Sequence, residues 1–258
     1  MAKIYTTEIT SEHIPSDNPI HQRLFKAYVA AEPYVSGDAL EVGCGEGRGV
    51  ELLMQHAKSF TAVDKIDEAL QVLRDKFPGA RFLAMNLPPL HGMGDNSYDC
   101  VVSFQVIEHI KEDRFYLQEI HRVLKPGGVA LITTPNRKMS LSRNPWHIRE
   151  YLAHELENLA KGIFSEVQMK GITGNERVMA YYEQNKKSVA RLMRWDIFNL
   201  QYNLPAWMLR FPYEVMNRLN RNKLQTGDQS LVQSIRHEDY VVTEDAANAL
   251  DLFLIVRK

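Results

Sequence analysis

The sequence predicts an α/β fold, in which an open and mostly parallel sheet carries helices on both of its faces. Between residues 38 and 134, short apolar runs alternate with amphipathic helical patterns. Strands that alternate with helices pair in parallel through right-handed crossovers. A glycine-rich turn follows the first strand, which is where open α/β sheets place ligands. The 258 residues are enough for one large α/β domain with a substantial insertion.

Seven apolar runs predict the strands of this sheet. Five lie in the first half of the chain: ALEV (39–42), SFTAV (59–63), ARFLA (80–84), YDCVVSF (98–104) and VALITT (129–134). The runs SEVQMKGI (165–172) and ALDLFLIVRK (249–258) predict a sixth and a last strand. Helical spacing of apolar residues recurs between them, as at Tyr116, Ile120 and Val123.

Helical patterns outside the sheet predict two further regions, an N-terminal lid helix and an insertion before the last strand. NPIHQRLFKAYVAAEPYV (18–35) predicts one amphipathic helix, and its residues His21, Phe25 and Tyr28 suit a lid. About 75 residues that a minimal sheet does not need precede the last strand. We therefore predict an N-terminal lid region (1–36), a core (37–174), a mainly helical insertion (175–240) and a last strand that completes the sheet (241–258).

Composition and charge exclude some functions. Lys and Arg number 31 against 32 Asp and Glu, a formal net charge of -1, which does not favour nucleic acid. Cys44 and Cys100 lie far apart in strand-like contexts, which predicts reduced thiols. The first residues, MAKIYTTEIT, contain no apolar signal-peptide core, and no window resembles a membrane span. We expect a cytoplasmic protein.

The stretch ALEVGCGEGRGV (39–50) contains the glycine turn. Gly43, Gly45 and Gly47 permit positive φ angles and remove Cβ atoms that would collide with a ligand. A helix beginning near Arg48 would offer backbone N–H groups to an anion. The dinucleotide pattern G-x-G-x-x-G fails, because its third position falls on Arg48 or Val50.

Several motifs together resemble those of class I S-adenosylmethionine-dependent methyltransferases. They are Glu41 followed by the alternating glycines, TAVDKID with Asp64, SYDCVVSFQVIEHI, and LQEIHRVLKPGGVALITTPN. The resemblance covers residues 38–136 closely and the last strand more loosely. The segment TPNRKMSLSRNPWHIREYLAHEL after the fifth strand resembles a small-molecule subset that includes ubiquinone-pathway-like and glycan-associated methyltransferases. The resemblance implies a Rossmann-like seven-stranded sheet, S-adenosylmethionine as cofactor and S-adenosylhomocysteine as product.

The resemblance also implies roles for single residues. Glu41 would order the glycine turn, Asp64 would hold the ribose with Lys65 beside it, and Gln105 would lie under the methionine arm. The implied cofactor-binding residues are Glu41, Gly43, Cys44, Gly45, Gly47, Asp64, Lys65, Asn86, Leu87 and Gln105. Asn86 departs from the aspartate that is frequent in the family, yet an amide still pairs with an adenine amine.

Three residues are candidates for catalysis. Methyl transfer to a hydroxyl requires a base, and Glu108, His109 and His147 are the predicted catalytic groups. The same three could in principle supply metal ligands, but their spacing is not tight and we predict no metal. A small-molecule hydroxyl is the predicted acceptor. Nitrogen or carbon acceptors and a non-catalytic S-adenosylmethionine-binding protein stay open, whereas an NAD-dependent oxidoreductase is disfavoured.

The insertion is basic and rich in aromatic residues. Residues 186–223 contain eight Lys and Arg against Asp196 and Glu214, together with Trp195, Phe198, Trp207 and Phe211. Such a segment suits a peripheral contact with an anionic membrane surface. A grip on an anionic sugar or nucleotide conjugate, a solvated face and a homodimer contact are alternatives.

Overall fold

The computed structural model describes residues 15–194, 196, 199–227 and 229–258. The N-terminal run MAKIYTTEIT and the insertion residues Trp195 and Phe198 lie outside the described residues.

An eight-stranded sheet forms the centre of the fold. Its strands are β1 (Asp38–Val42), β2 (Ser59–Asp64), β3 (Arg81–Ala84), β4 (Tyr98–Phe104), β5 (Leu124–Pro135), β6 (Glu166–Gly174), β7 (Tyr240–Thr243) and β8 (Asp251–Arg257). The order across the sheet is β3-β2-β1-β4-β5-β8-β6-β7. The pairs from β3 to β5 are parallel, whereas β8 runs antiparallel to both β5 and β6. The Rossmann-like α/β prediction is confirmed.

The strand count differs from the predicted seven. The extra strand, β7, pairs antiparallel with β6 at the edge, with Ile172 opposite Val242. Its four residues lie at the boundary that we placed between the insertion and the last strand. Because the run is short and two of its side chains, Val241 and Val242, are exposed, it carries no clear strand periodicity.

Helices cover both faces of the sheet. They are α1 (Asn18–Ala31), α2 (Val50–Met54), α3 (Asp67–Lys76), α4 (Asp113–Val123), α5 (Ala153–Lys161), α6 (Glu176–Met193), α7 (Leu200–Asn203), α8 (Ala206–Gly227) and α9 (Gln229–Ser234). The α1 helix stops at Ala31 and continues as a 3₁₀ turn, Glu32–Tyr34, instead of reaching residue 35. Pro33 explains the early end, because a proline lacks the N–H that an α-helix requires.

Two apolar clusters lie on opposite faces of the sheet. One contains Tyr28 of α1, Leu53 of α2 and Leu70 of α3, and the other contains Tyr116 of α4 and Leu156 of α5. Within β1, Ala39 belongs to the first cluster and Leu40 and Val42 to the second, as expected for a strand whose side chains point to alternate faces. Among the described helices, none combines the length and the apolar character that crossing a membrane demands.

Hydrogen bonds attach α1 to the end of the insertion. The side-chain amide of Asn18 donates to the carbonyl oxygens of Val232 at 2.8 Å and Ile235 at 2.9 Å. The Tyr240 hydroxyl of β7 donates to the Pro19 carbonyl at 2.6 Å, and this contact is buried. The N-terminal helix is therefore fixed to residues more than 200 positions away in the sequence.

Candidate active site

The glycine turn leaves β1 at the point where strand order reverses, with β2 on one side and β4 on the other. Gly43 has a φ of 85° and Gly45 a φ of 54°, both in the left-handed region. A Cβ at Gly43 would lie 2.3 Å from Val106 Cγ2, so this glycine is required by packing. A Cβ at Gly45 would meet nothing within 4 Å, because this residue borders open space. Glycine is therefore needed for a different reason at each position: packing against Val106 at Gly43, and open space for a ligand at Gly45.

Asp64, the last residue of β2, holds the turn in place. Its carboxylate oxygens accept hydrogen bonds from the backbone N–H of Gly45 at 2.9 Å and of Ile66 at 3.0 Å. The helix after the turn is short and begins at Val50, two residues beyond the predicted start at Arg48. The Val50 N–H is already bonded to the Gly47 carbonyl oxygen. The expected anion site at the N-terminus of this helix is therefore absent from the described residues. In its place is a turn that the Asp64 carboxylate orders.

The glycine-turn cavity, of about 420 Å³, opens above this turn. Nine predicted cofactor-binding residues line it: Gly43, Cys44, Gly45, Gly47, Asp64, Lys65, Asn86, Leu87 and Gln105. His21, Leu24 and Tyr28 of α1 form another part of its wall. The tenth predicted residue, Glu41, is absent from this lining and lies within β1, buried to 1% exposure.

Glu41 is bound to α1. The Tyr28 hydroxyl donates a hydrogen bond of 2.8 Å to Glu41 Oε1, and within the described part of the chain Oε2 is buried without a partner. Burial raises the pKa of Glu41 to about 7, with nearby Asp64 adding to the effect and the Tyr28 hydrogen bond opposing it. Glu41 is thus a buried polar link between the first strand and the helix over the cavity.

We expect Glu41→Gln to remove a pH-dependent loss of stability. A carboxyl whose pKa is higher in the folded state than in the unfolded state binds more protons when folded. The free energy of unfolding then falls as pH rises from 4.5 to about 7. The shift corresponds to at most about 3 kcal/mol. Urea unfolding of parent and variant at pH 5, 6, 7 and 8 measures the difference.

The exposed carboxyl of Glu68 on α3 provides the matched control, as Glu68→Gln. This control should follow the parent at every pH. If Glu41→Gln also kept the parent's slope between pH 5 and 8, the assignment of that slope to Glu41 would be wrong.

A second cavity, the histidine cavity of about 280 Å³, lies beside the first. All three predicted catalytic residues, Glu108, His109 and His147, line it. Leu24, Gln105 and His109 line both cavities, so these residues form the boundary between them. A group in the glycine-turn cavity and a group in the histidine cavity would meet at this boundary.

His109 has a defined tautomer. Its Nδ1 lies 3.0 Å from the carbonyl oxygen of Trp146, and a carbonyl oxygen only accepts, so Nδ1 carries the proton. The neutral ring therefore keeps a basic Nε2. The ring of His147 packs edge-on against that of His109, with centroids 5.0 Å apart.

His147 is held by side chains on both of its nitrogens. Nδ1 lies 2.6 Å from Glu150 Oε1, and Nε2 lies 2.8 Å from Asn144 Nδ2. Since Asn144 Oδ1 accepts from the Trp146 N–H, its amide nitrogen is the donor to His147. Burial alone would raise the pKa of Glu150, but hydrogen bonds from His147 and Ser140 bring it below its usual value. His147 is therefore an oriented residue whose two nitrogens are both occupied.

Glu108 lies under the two histidines. Its side chain is 1% exposed and Oε2 accepts a 3.0 Å hydrogen bond from Thr134. Burial raises its pKa to about 7, which the charge of His147 and hydrogen bonds partly oppose. Its carbonyl oxygen accepts from the Ile148 N–H at 2.7 Å, which fixes the loop that carries His147.

These three residues are also the group that could hold a metal ion within the described residues. One ligand atom from each of Glu108, His109 and His147 lies within 4.8 Å of the others. Ligation by His147 would replace its contact with Asn144 or with Glu150. The absence of a metal stays a prediction.

Gln105 has an unusual backbone at the cavity boundary. It follows β4 with a φ of 59°, in the left-handed region that residues other than glycine rarely adopt. Its N–H donates to the Thr133 carbonyl at 2.9 Å, and its side-chain amide contacts Thr133 Oγ1 at 3.3 Å. Strain of this kind concentrates at functional sites.

Sequence reasoning missed most of the histidine-cavity wall. The missed residues are Arg23, Asn136, Asn144, Glu150, Tyr181, Tyr182, Tyr213, Asn220, Arg221 and Tyr240. For Glu150 a signal exists, because it follows His147 at i+3. The tyrosines come from α6, α8 and β7, which no local pattern connects to the histidines.

The fold and the two cavities define a class of protein: an α/β enzyme fold whose glycine turn and strand-end carboxylate suit a nucleoside at the switch point. Residues 40–132 match the family described as a methyltransferase domain. Over this segment the chain is similar to methyltransferases, for which the sequence resemblance implies S-adenosylmethionine as cosubstrate.

Similar proteins carry names of the same family. A probable S-adenosylmethionine-dependent methyltransferase of Mycobacterium tuberculosis is 36% identical over 165 residues, 61% of this chain and 60% of that protein. A ubiquinone biosynthesis O-methyltransferase of Rickettsia bellii is 31% identical over 104 residues, 39% of this chain and 42% of that protein. The chain thus spans at most three fifths of these relatives.

A solved structure supports the fold along almost the whole chain. An S-adenosylmethionine-dependent methyltransferase from Thermotoga maritima aligns with a TM-score of 0.57 at 16% identity. The alignment covers 93% of this chain and 91% of that one. At this identity the likeness concerns the fold alone.

The residues of the glycine-turn cavity fit the cosubstrate. Open space beside Gly45 leaves room for a ligand close to the backbone. Asp64 at the end of β2 offers the acceptors that ribose hydroxyls need, and Asn86 offers an amide for an adenine edge. The open space at Gly45, the carboxylate of Asp64 and the amide of Asn86 therefore suit a nucleoside.

Proposed function

We propose that the protein is an S-adenosylmethionine-dependent O-methyltransferase that acts on a hydroxyl of a small molecule. The observation that carries this proposal is the position of His109, which lines both cavities with an oriented ring. In this proposal the cosubstrate occupies the glycine-turn cavity and the acceptor occupies the histidine cavity. S-adenosylmethionine supplies an electrophilic methyl group on a sulfonium.

The residues of the glycine-turn cavity bind and orient. Asp64 holds the ribose, Asn86 and Leu87 contact the adenine, and Gln105 lies at the methionine end beside the acceptor. Such positioning is the main contribution that a displacement with a good leaving group requires. The α1 helix, through Tyr28 and Leu24, excludes water from the reacting atoms.

His109 is the proposed base. Its Nε2 takes the proton of the acceptor hydroxyl as the oxygen attacks, while the Trp146 carbonyl stabilises the proton on Nδ1. Glu108 beneath it, with a pKa raised to about 7, balances the charge that forms on the imidazole. His147, held by Glu150 and Asn144, packs edge-on against His109 and keeps that ring oriented.

The chemistry of the wall supports a hydroxyl acceptor. Among the described residues, four tyrosines and five asparagines give the wall neutral polar groups: Tyr181, Tyr182, Tyr213, Tyr240, Asn136, Asn144, Asn185, Asn217 and Asn220. An aromatic and polar wall suits a ring that bears hydroxyl groups. The name of the Rickettsia bellii relative, a ubiquinone biosynthesis O-methyltransferase, supports the same class of reaction.

The proposal includes the arrangement of the chain. Residues 37–174 with 241–258 act as the methyltransferase core, 1–36 contribute the lid helix, and 175–240 build the acceptor side. Val178 of α6 and Tyr213 of α8 line the histidine cavity, which is what an acceptor-side insertion requires.

The test is an acceptor screen with the whole chain. Phenols, catechols, sugars and amines are incubated with S-adenosylmethionine, the S-adenosylhomocysteine formed is quantified, and NMR identifies the methylated atom. We expect turnover with hydroxyl acceptors. Methylated nitrogen or carbon as the main product would contradict O-methylation. If S-adenosylhomocysteine raises the thermal stability of the protein but no acceptor is turned over, the protein is a binding protein. If NAD alone raises its thermal stability, the protein is not a methyltransferase.

A chelator arm in the same screen tests the predicted absence of a metal. We expect turnover to persist in EDTA, because both nitrogens of His147 already have hydrogen-bond partners. Loss of turnover in EDTA and its recovery with a divalent cation would instead assign Glu108, His109 and His147 as ligands.

A further inference from the structure

The helices that build the acceptor side have opposite faces of different chemistry. The inner face of α6 lines the histidine cavity at Val178, Tyr181, Tyr182, Asn185 and Val189. The inner face of α8 lines it at Tyr213, Asn217, Asn220 and Arg221. Asn220 also bonds to Asn185 and Ser188, which packs the two helices together. Their outer faces are turned away from the cavity.

The outer face of α8 is apolar and exposed. Trp207, Phe211, Val215 and Leu219 follow one another at i+4 intervals, with exposures of 71%, 75%, 42% and 64%. Met208 and Met216 are exposed beside them. An apolar stripe of this length on one helix is unusual on a surface in contact with water alone. We call these six residues the α8 stripe.

Cations accompany the α8 stripe on the neighbouring helix. Lys187, Arg191 and Arg194 follow one another at i, i+4 and i+7 and are all exposed, Arg194 directly after the end of α6. No ion pair joins any of these three to a carboxylate within the described part of the chain, whereas Arg218 and Arg221 are paired with the buried Asp17. An apolar stripe containing tryptophan and phenylalanine, accompanied by unpaired cations, is typical of helices that lie on anionic lipid.

We propose that the outer face of α6 and α8 docks on an anionic lipid surface. The α8 stripe enters the boundary between headgroups and acyl chains, while Lys187, Arg191 and Arg194 contact the anionic headgroups. A second copy of the chain fits this face less well. A twofold interface would bring the cations of both copies together, and the exposed carboxylate of Glu183, one turn before Lys187, already pairs with Lys186. Docking through this face places α6 and α8 at the lipid surface, together with the wall of the histidine cavity that they form.

Vesicle flotation with the whole chain tests this surface, without cosubstrate or acceptor. Vesicles contain phosphatidylcholine alone or phosphatidylcholine with phosphatidylglycerol. We expect binding at least tenfold tighter to the anionic vesicles, and a loss of binding in high salt. The variant W207S/F211S should lose binding by tenfold or more. Each of Lys187→Gln, Arg191→Gln and Arg194→Gln should cost about fivefold on anionic vesicles.

The matched controls lie on other helices and surfaces. Val72→Ser removes an exposed apolar side chain of α3, and Lys111→Gln removes an exposed cation before α4; both should bind vesicles as the parent does. W207S/F211S should keep its thermal stabilisation by S-adenosylhomocysteine, which separates loss of docking from loss of folding.

Three outcomes would overturn the proposal. The first is a parent protein that binds neutral and anionic vesicles equally or binds neither. The second is binding that W207S/F211S leaves unchanged. The third is a dimer in light scattering that W207S/F211S dissociates while the parent binds no vesicle, which would assign the face to a second copy. Methyl transfer to a water-soluble acceptor is measured without vesicles, so this inference and the proposed function fail independently.

Discussion

Asp64→Ala is expected to weaken the binding of S-adenosylhomocysteine by about 100-fold. The carboxylate accepts hydrogen bonds from the backbone N–H groups of Gly45 and Ile66, and in our proposal it also holds the ribose hydroxyls. Hydrogen bonds to a charged group contribute about 1.5–3 kcal/mol each, so the loss of the ribose contacts and of the ordered turn gives a change of this size. Isothermal titration calorimetry measures the dissociation constant.

Asp75→Asn is the control for this substitution, because Asp75 is exposed on α3 outside both cavities. It should bind the nucleoside as the parent does. A folded Asp64→Ala protein, shown by circular dichroism, that bound within threefold of the parent would remove Asp64 from the ribose site.

His109→Ala is expected to lower kcat for a hydroxyl acceptor by about 10²–10⁴-fold, the usual contribution of a positioned base. The affinity for S-adenosylhomocysteine should change little, because the proposed cofactor contacts come from the glycine turn and from the ends of β2, β3 and β4, whereas His109 lies at the boundary of the cavity. Steady-state kinetics with the best acceptor of the screen measure kcat, and calorimetry measures the affinity.

The exposed histidine of α5 gives a matched control, His154→Ala, which should leave kcat unchanged. If His109→Ala kept kcat within threefold of the parent, the base would lie elsewhere. His147→Ala in the same assay then decides between two explanations. A lower kcat would assign the base to His147, and an unchanged kcat would indicate an acceptor that needs no base.

The core of the fold was predictable because its signals are local. The apolar runs of β1 and β2 and the glycines between them lie within 27 residues, and pairing in parallel follows from the helices that separate the strands. The same locality brought Gly45, Asp64 and Gln105 to one cavity, since the carboxyl ends of parallel strands share an edge of the sheet.

The acceptor side was not predictable in this way. Tyr182, Tyr213 and Tyr240 come from three separate elements and meet the histidines only through tertiary packing. The partner of Glu41 is also nonlocal: the resemblance implied that Glu41 orders the glycine turn, and the structure adds a hydrogen bond from Tyr28 of α1 that no local pattern indicates. A side chain's partner across a helix–sheet interface depends on packing angles that periodicity does not encode.

The α1 helix lines both cavities, so it can couple the free energies of ligand binding in them. Leu24 lines both of them, Tyr28 reaches β1, and Asn18 and Pro19 are bonded to the end of the insertion. If the first ligand to enter shifts α1 together with the elements bonded to it, the second ligand meets a wall that has already moved. Its binding is then cooperative. By thermodynamic linkage, the factor by which acceptor tightens nucleoside equals the factor by which nucleoside tightens acceptor.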